Sequence, residues 1–421
     1  MSVVRQQALT VVAAIQSGNE AASDAWLREN KRTLQRALER STTTHFARIV
    51  LLPPSRDEDG NFMGDQHLLA FESNFDGELQ EHVADLRACL GPLLDGAFAG
   101  AEGYPGSSDL GKLTSFFRDA SLRAAAFYVA HAGLSVPVVR GDAALKLALE
   151  ARLKERARGA IVQAEGAQEL ALELQQTARA LAATHGLTLG PVDRGLPSNP
   201  PSVIATALQR PFSVLLAFLL APFFELRDAL VRRRQPSFQT PELKQMRDFI
   251  GLEEDRVDQN GLTHLVPIKS GWYRPFALRT MVLLVTALAV AGGLVGRLGG
   301  IQTIHFARWV VLPDRRLLFF SNYDGSWEAY LGDFIDKASM GLTMIWTNTL
   351  WYPKTRLLLF QGARHEGAFK AWTRAHQVPT QVWYSAYPTL SVGDVLKNAK
   401  IRELLGGPLT PSSSEQLLSL L

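Results

Sequence analysis

Cysteine is almost absent: the 421-residue chain carries one, Cys89. A single thiol excludes a disulfide framework, a Cys-rich zinc site and an iron–sulfur cluster. An excess of one charge is absent too. Lys plus Arg number 44 and Asp plus Glu 41, a net of +3, which leaves no broad basic surface of the kind nucleic acid requires. The first thirty residues lack the charged-then-apolar pattern of a secretory signal, because Asp24, Arg28 and Glu29 interrupt them. The expected compartment is the reducing cytoplasm. Catalytic signatures are missing as well: there is no G-x-x-x-x-G-K, no H-E-x-x-H, no G-x-S-x-G elbow and no dinucleotide glycine pattern. His365-Glu366 opens like a zinc-helix motif, but no histidine follows at the required place. No metal site is expected.

What is present is a folded chain. Apolar residues make up 47% and charged residues 20%, which excludes disorder. At roughly 150 residues per domain the length predicts two or three domains. An internal repeat organises them. His45-Phe46-Ala47-Arg48-Ile49-Val50-Leu51-Leu52-Pro53 returns as His305-Phe306-Ala307-Arg308-Trp309-Val310-Val311-Leu312-Pro313, identical at seven of nine positions. Leu68 to Gly77 matches Leu317 to Gly325 with one residue dropped, both ending in Asp-Gly. Phe127-Tyr128-Val129-Ala130 matches Trp383-Tyr384-Ser385-Ala386 further on. Three matches in order make chance convergence an inferior explanation.

Each unit reads as strand, loop, strand and helix. In the second, Phe306–Leu312 is a strand, and Trp327, Tyr330, Leu331, Phe334 and Ile335 fall at helical spacing. Arg356 to Phe360 reads as a third strand, Gly367 to His376 as a second helix and Gln381 to Tyr387 as a closing fourth strand. Two helices on one face of four strands predict an α+β fold of two ferredoxin-like repeats packed together. The expected divisions are a helical lead-in over 1–40, a first repeat with helical extension over 41–190, a linker and apolar segment over 191–298, and a second repeat over 299–421.

The central segment holds two apolar stretches. Fourteen residues between Arg210 and Glu225 contain one polar member, Ser213, and seventeen between Arg279 and Arg297 contain only Thr280 and Thr286. A spanning helix needs about 20 residues, so both are short, and Pro222 is expected to break the first. Spanning by both would also export Arg232-Arg233-Arg234, against the positive-inside rule. Length and charge together predict interfacial attachment. Phe212, Leu216, Phe218, Phe223, Leu283 and Leu288 would dip into one leaflet while Arg232, Arg233 and Arg234 meet anionic headgroups. Membrane lipid or a small apolar ligand is the expected partner, nucleic acid is not, and a homo-oligomer stays open.

Candidate site residues follow from the duplicated polar positions and from one cluster without a visible counterpart, Asp258 to Lys269. Asn260, His264, Lys269, His305, Arg308 and Asn322 are the candidate ligand contacts, and His264, Asp76 and Asp324 the candidate catalytic groups. His45 and Arg48, three apart, should face opposite sides of their strand, with the Arg at the surface. Asp76 and Asp324 stand where helix caps are expected.

Two ferredoxin-like units in one chain resemble the dimeric α/β-barrel superfamily, in which paired sheets enclose a pocket. Within it, dye-decolourising peroxidases are similar in having two units and a G-x-x-D-G motif beside haem. The corresponding text here is Ser73-Asn74-Phe75-Asp76-Gly77 and Ser321-Asn322-Tyr323-Asp324-Gly325, with the first glycine replaced in both. That resemblance implies a haem cofactor beside Asp76 and Asp324, a proximal ligand sought at His264 or His365, and peroxidase or oxygenase action on an apolar substrate. The residues themselves favour a membrane-associated binder of a lipid-like ligand.

Overall fold

β-branched and aromatic runs with turn residues at their ends form the strands. The computed structural model describes residues 4–64, 66–159, 166–185, 187–192, 211–231, 258–291 and 300–421. In chain order the elements that position the site are β1 (Gln6–Ala14), α1 (Glu20–Leu38), β2 (Thr44–Leu52), β3 (Leu68–Asp76), α2 (Leu79–Leu90), α3 (Leu110–Asp119), β4 (Ala124–Val129), α4 (Val136–Gly159) and α5 (Ala167–His185). They continue as α6 (Pro211–Val231), β5 (Gln259–Pro267), α7 (Tyr273–Ala291), β6 (Ile304–Val311), β7 (Arg316–Asp324), α8 (Trp327–Trp346), α9 (Glu366–Ala375), β8 (Val382–Ser385), α10 (Val392–Gly406) and α11 (Pro411–Leu420). The fold is mixed α+β, and no helix among the described residues is long and apolar enough to cross a membrane.

Two antiparallel four-stranded sheets carry the architecture, ordered β1-β3-β2-β8 and β4-β6-β7-β5. Each takes its last strand from the far half of the chain. β8 pairs with β2, Trp383 opposite Arg48, and β4 pairs with β6, Phe127 opposite Arg308. The expected closing strand over Gln381 to Tyr387 therefore exists but completes the other sheet. The matched segments also share one register: Ala47 faces Ser73 and Ala307 faces Ser321. Arg48 then faces Glu72 where Arg308 faces Phe320, so the strands align without the dropped residue.

Several expectations need correction. Residues 1–40 are not all helical, since Gln6–Ala14 pairs along the whole of β3. Arg356 to Phe360 is not a sheet strand; it is the tip of a two-residue ladder, Thr355–Arg356 against Phe360–Gln361. Pro222 lies inside α6 without ending it. A proline removes one helical hydrogen bond, and here side chains within the next two turns, Glu225 and Asp228, anchor the helix to its neighbours. The Ala- and Leu-rich region over 143–186 is two helices, α4 and α5, packed with α10 and α11 around Leu149, Leu174 and Leu405.

Each sheet has its own core, one with α1, α2 and α3 around Leu27, Phe71 and Phe117, the other with α7, α8 and α9 around Phe319, Trp346 and Trp372. A third cluster (Val50, Leu52, Ala70, Leu265, Val310, Leu318, Phe320) draws on strands of both sheets. This explains why every residue of β2 is buried. The strand is covered on both faces.

Candidate functional site

The matched histidines meet at the junction between the halves. A bulge where the β2 pairing jumps from Thr44 to Phe46 inserts His45 as an extra residue, and β6 repeats it at His305. The bulge breaks strict alternation, so His45 and Arg48 both reach toward the other sheet. The His45 ring lies 5.3 Å from that of Phe306. Strand alternation alone had separated them.

Asp76 Oδ1 lies 2.9 Å from His45 Nε2, and Asp324 Oδ1 lies 2.7 Å from His305 Nε2. A carboxylate only accepts, so each Nε2–H donates. The second oxygens accept from the Val136 and Val392 amides, each at 2.8 Å. These amides open α4 and α10, where helix dipoles favour negative charge. Contrary to the expectation from sequence, neither aspartate caps the helix that directly follows it; each serves a helix start 60 or 68 residues downstream, and Ser326 caps α8.

From His45 Nδ1 the chain of contacts runs 2.9 Å to Tyr387 Oη, 3.3 Å to His131 Nε2 and 3.4 Å to His305 Nδ1. With both Nε2–H groups given to aspartates, the Nδ1 atoms accept, so Tyr387 donates to His45 and His131 Nε2–H serves Tyr387 and His305. Burial, with His305 and His45 beside it, holds His131 well below the usual imidazole range. Burial also pushes the Tyr387 phenol well above its ordinary value, with Asp76 adding to the shift. Gln6 Nε2 closes one end by donating 2.8 Å to Leu134 O, and Gln259 Nε2 closes the other by donating 3.1 Å to Tyr387 O. All four aromatic members of this eight-residue network are at most 3% exposed, and its contacts join the two halves in the interior.

A buried Arg–Glu–Arg triad lies alongside. Arg48 Nε donates 2.8 Å to one Glu72 oxygen and Arg308 Nη2 lies 2.7 Å from the other. Arg48 also donates to Leu262 O (2.8 Å), Ser321 O (2.9 Å) and Asn322 Oδ1 (2.6 Å). Arg308 makes the matching set to Leu9 O (2.6 Å), Ser73 O (2.8 Å) and Asn74 Oδ1 (2.5 Å). Neither arginine reaches the surface, which corrects that expectation: their donors satisfy carbonyls of the opposite sheet. Burial pushes both guanidinium groups down, Arg308 to about 10, and Glu72 opposes the shift.

The remaining candidates scatter. Asn260 donates 2.8 Å to Gly325 O, and Lys269 binds Asp228 and Thr347 O, each at 2.8 Å. His264 sits inside the second core against Trp346 and Trp372, with ring centroids 4.8 and 4.7 Å away, and neither ring nitrogen has a partner among the described residues. Burial, then His376, keeps it well below the ordinary imidazole value. The network's Gln6, His131 and Tyr387 escaped sequence reasoning. A signal existed: Gln6-Gln7-Ala8-Leu9-Thr10 against Gln259-Asn260-Gly261-Leu262-Thr263 matches at Gln, Leu and Thr.

Haem does not fit these residues. Asp76 and Asp324 are each committed through both oxygens, and the void beside His264 is about 20 Å³, enough for a water but not a macrocycle. His365 stands exposed at the start of α9, away from that void.

The apolar stretches do assemble a surface. α6 and α7 run side by side, with Ala217 against Met281 and the Phe224 ring stacked on Tyr273 at 4.1 Å. One side of α6 is anchored by polar groups. Glu225 accepts from the Leu357 and Leu358 amides at 2.9 and 3.0 Å, and Asp228 binds Lys269 at 2.8 Å and the fully buried Arg274 at 2.5 Å. Burial raises the Asp228 carboxyl, but Lys269 and Arg274 outweigh it and the net direction is down. The opposite side presents Phe212, Leu215, Leu219, Phe223, Leu226 and Leu230, between 56% and 72% exposed. Trp272 (63%) and Leu288 (58%) are exposed at and along α7. Of the expected membrane residues, Phe212, Phe223 and Leu288 are exposed, Leu216, Phe218 and Leu283 are half-buried, and Arg232, Arg233 and Arg234 lie outside the described residues. Neither the protein-family models nor the curated proteins searched give a match to this chain.

Proposed function

We propose that this is a peripheral, monotopic membrane protein of the cytoplasmic leaflet, which seats the α6–α7 pair in the lipid interface and binds an apolar, lipid-like ligand. The supporting observation is the α6 face: six large apolar side chains at spacings of three and four, fully outward, on a helix whose other side is fixed by Glu225 and Asp228. A loose segment could fold its apolar face inward. An anchored one must present it. At roughly 100 Å² each the six expose roughly 600 Å², the upper end for the largest patch on a monomer. At about 25 cal/mol per Å² full transfer to hydrocarbon is worth at most about 15 kcal/mol. The Arg232-Arg233-Arg234 run that follows α6 in sequence adds about 1 kcal/mol per residue near an anionic leaflet.

The same reading takes the two halves as ferredoxin-like units that have exchanged their last strands, the arrangement of a dimeric α/β barrel in one chain. The sheet orders and shared register support it. The space between the sheets is filled by Arg48, Glu72, Arg308 and Phe320, which favours the helical pair over that space as the ligand site. Flotation with phosphatidylserine vesicles in detergent-free buffer tests the attachment. The protein should rise with the vesicles, and a protein that stays at the bottom of the gradient refutes it.

A further inference from the structure

Between α6 and α7 lies a cleft of about 290 Å³, lined by Ser213, Val214, Trp272, Phe276, Arg279 and Leu284 among others. Its α7 wall is a single stripe, Pro275, Phe276, Arg279, Thr280, Leu283 and Leu284, with Trp272 immediately before the helix. That spacing keeps one helix face toward the cleft over roughly 14 Å of rise. Most of the lining is apolar. Arg279 is the one charged member, and it makes no ion pair with any described residue. Thr280 gives its hydroxyl proton to Phe276 O at 3.0 Å, so Arg279 and the Ser213 hydroxyl are the polar groups left to meet a ligand.

We infer that this cleft takes a long-chain carboxylate, a fatty acid, with its headgroup on Arg279 and Ser213 and its chain along Val214, Phe276, Leu283 and Leu284. The volume sits at the bottom of the roughly 300–1,000 Å³ range of small-molecule pockets, which suits one acyl chain and not two. The charge is complementary: a planar guanidinium receives a carboxylate through two parallel N–H donors. Access is direct, because the exposed Trp272 and the outward face of α6 border the same pair of helices, so a fatty acid dissolved in the leaflet reaches the cleft without crossing water. This deepens the reading given under Proposed function and rests on it for the route of delivery, not for the binding itself.

The test uses the full chain in solution with a fluorescent long-chain fatty acid below its micellar concentration. Saturable one-to-one binding, displaced by palmitate and at least tenfold less well by the uncharged hexadecanol, is expected. Arg279→Gln should weaken binding at least tenfold, and Ser213→Trp, which fills the cleft, should abolish it. Both variants should keep the far-ultraviolet spectrum and float with vesicles as the parent does. Absence of saturable binding, equal displacement by hexadecanol, or binding untouched by either variant overturns the inference. Loss of flotation in the parent with fatty-acid binding retained counts against the membrane reading alone.

Discussion

Glu72→Gln is the most informative single change in the interior. Glu72 is 1% exposed and stands between two guanidinium groups that are themselves at most 1% exposed. The wild-type triad already holds one more cation than anion. Removing the carboxylate charge while keeping the shape leaves two buried cations with only carbonyl and amide acceptors. Removing one partner of a buried pair typically destabilises by about 3–5 kcal/mol. The lower end applies here, because each arginine keeps its acceptors in the opposite sheet and an aromatic ring nearby: Phe320 lies 5.0 Å from Arg48 and Phe127 lies 5.5 Å from Arg308. Urea unfolding followed by near-ultraviolet circular dichroism is the assay, read as a midpoint shift at constant slope. A loss below about 1 kcal/mol, within the range of a surface change, refutes the reasoning. It would mean that the aromatic faces and backbone carbonyls compensate both charges unaided.

Acid should unfold the protein early. His82 is held at about 3 and His376 at about 4 by burial, and His131 and His264 well below 6.5. Below pH 6.5 the unfolded chain takes up these protons while the folded chain does not. Stability is full above that pH and falls by about 1.4 kcal/mol per unit for each histidine, down to about pH 4 where His376 begins to titrate. Thermal midpoints at pH 7.5 and 5.5 check this, and equal values contradict it. His264→Phe should leave stability unchanged or raise it by about 1 kcal/mol, because it removes two buried nitrogens with no partner among the described residues, whereas His264→Ala should cost about 2–4 kcal/mol by opening a void between Trp346 and Trp372. Thermal melts of both variants decide it, and a phenylalanine variant worse than alanine would show that the ring nitrogens are engaged. Leu219→Ser with Phe223→Ser should lower vesicle partitioning by about 3–6 kcal/mol, a hundredfold or more, and leave the melting temperature within a degree or two. A co-sedimentation isotherm on phosphatidylserine vesicles reads the loss, and unchanged partitioning would remove α6 from the interface.

Much of this was legible in the sequence because it was written twice. The His-Phe-Ala-Arg strands and the Asn-x-Asp-Gly turns declare paired positions, and the structure puts them in the same register. That each sheet takes one strand from the far half of the chain was not legible. Local pattern identifies Val382–Ser385 as a strand but does not say which sheet edge it joins. β1 was hidden because Gln6 to Thr10 conserves only three side chains with β5, and these act through tertiary contacts: Gln6 on loop carbonyls, Thr10 on Arg308. The bulge at His45 hides equally well, since one inserted residue reverses the facing of everything before it without a compositional mark. Pro222 misled for a related reason. Its effect on α6 is set by anchors at Glu225 and Asp228 whose partners lie 41 or more residues away in the chain.

Cys89 is buried and is the only cysteine, so cysteines placed along α6 can be labelled selectively. An environment-sensitive fluorophore at Leu215→Cys, Leu219→Cys and Phe223→Cys, with Lys337→Cys on the exposed face of α8 as reference, reports directly on what the helix face meets. On addition of phosphatidylserine vesicles the three α6 labels should shift to the blue and become accessible to lipid-borne quenchers, while the Lys337 label stays in water. Spectra unchanged at all four positions, or shifted equally at all four, would contradict a membrane-seated α6.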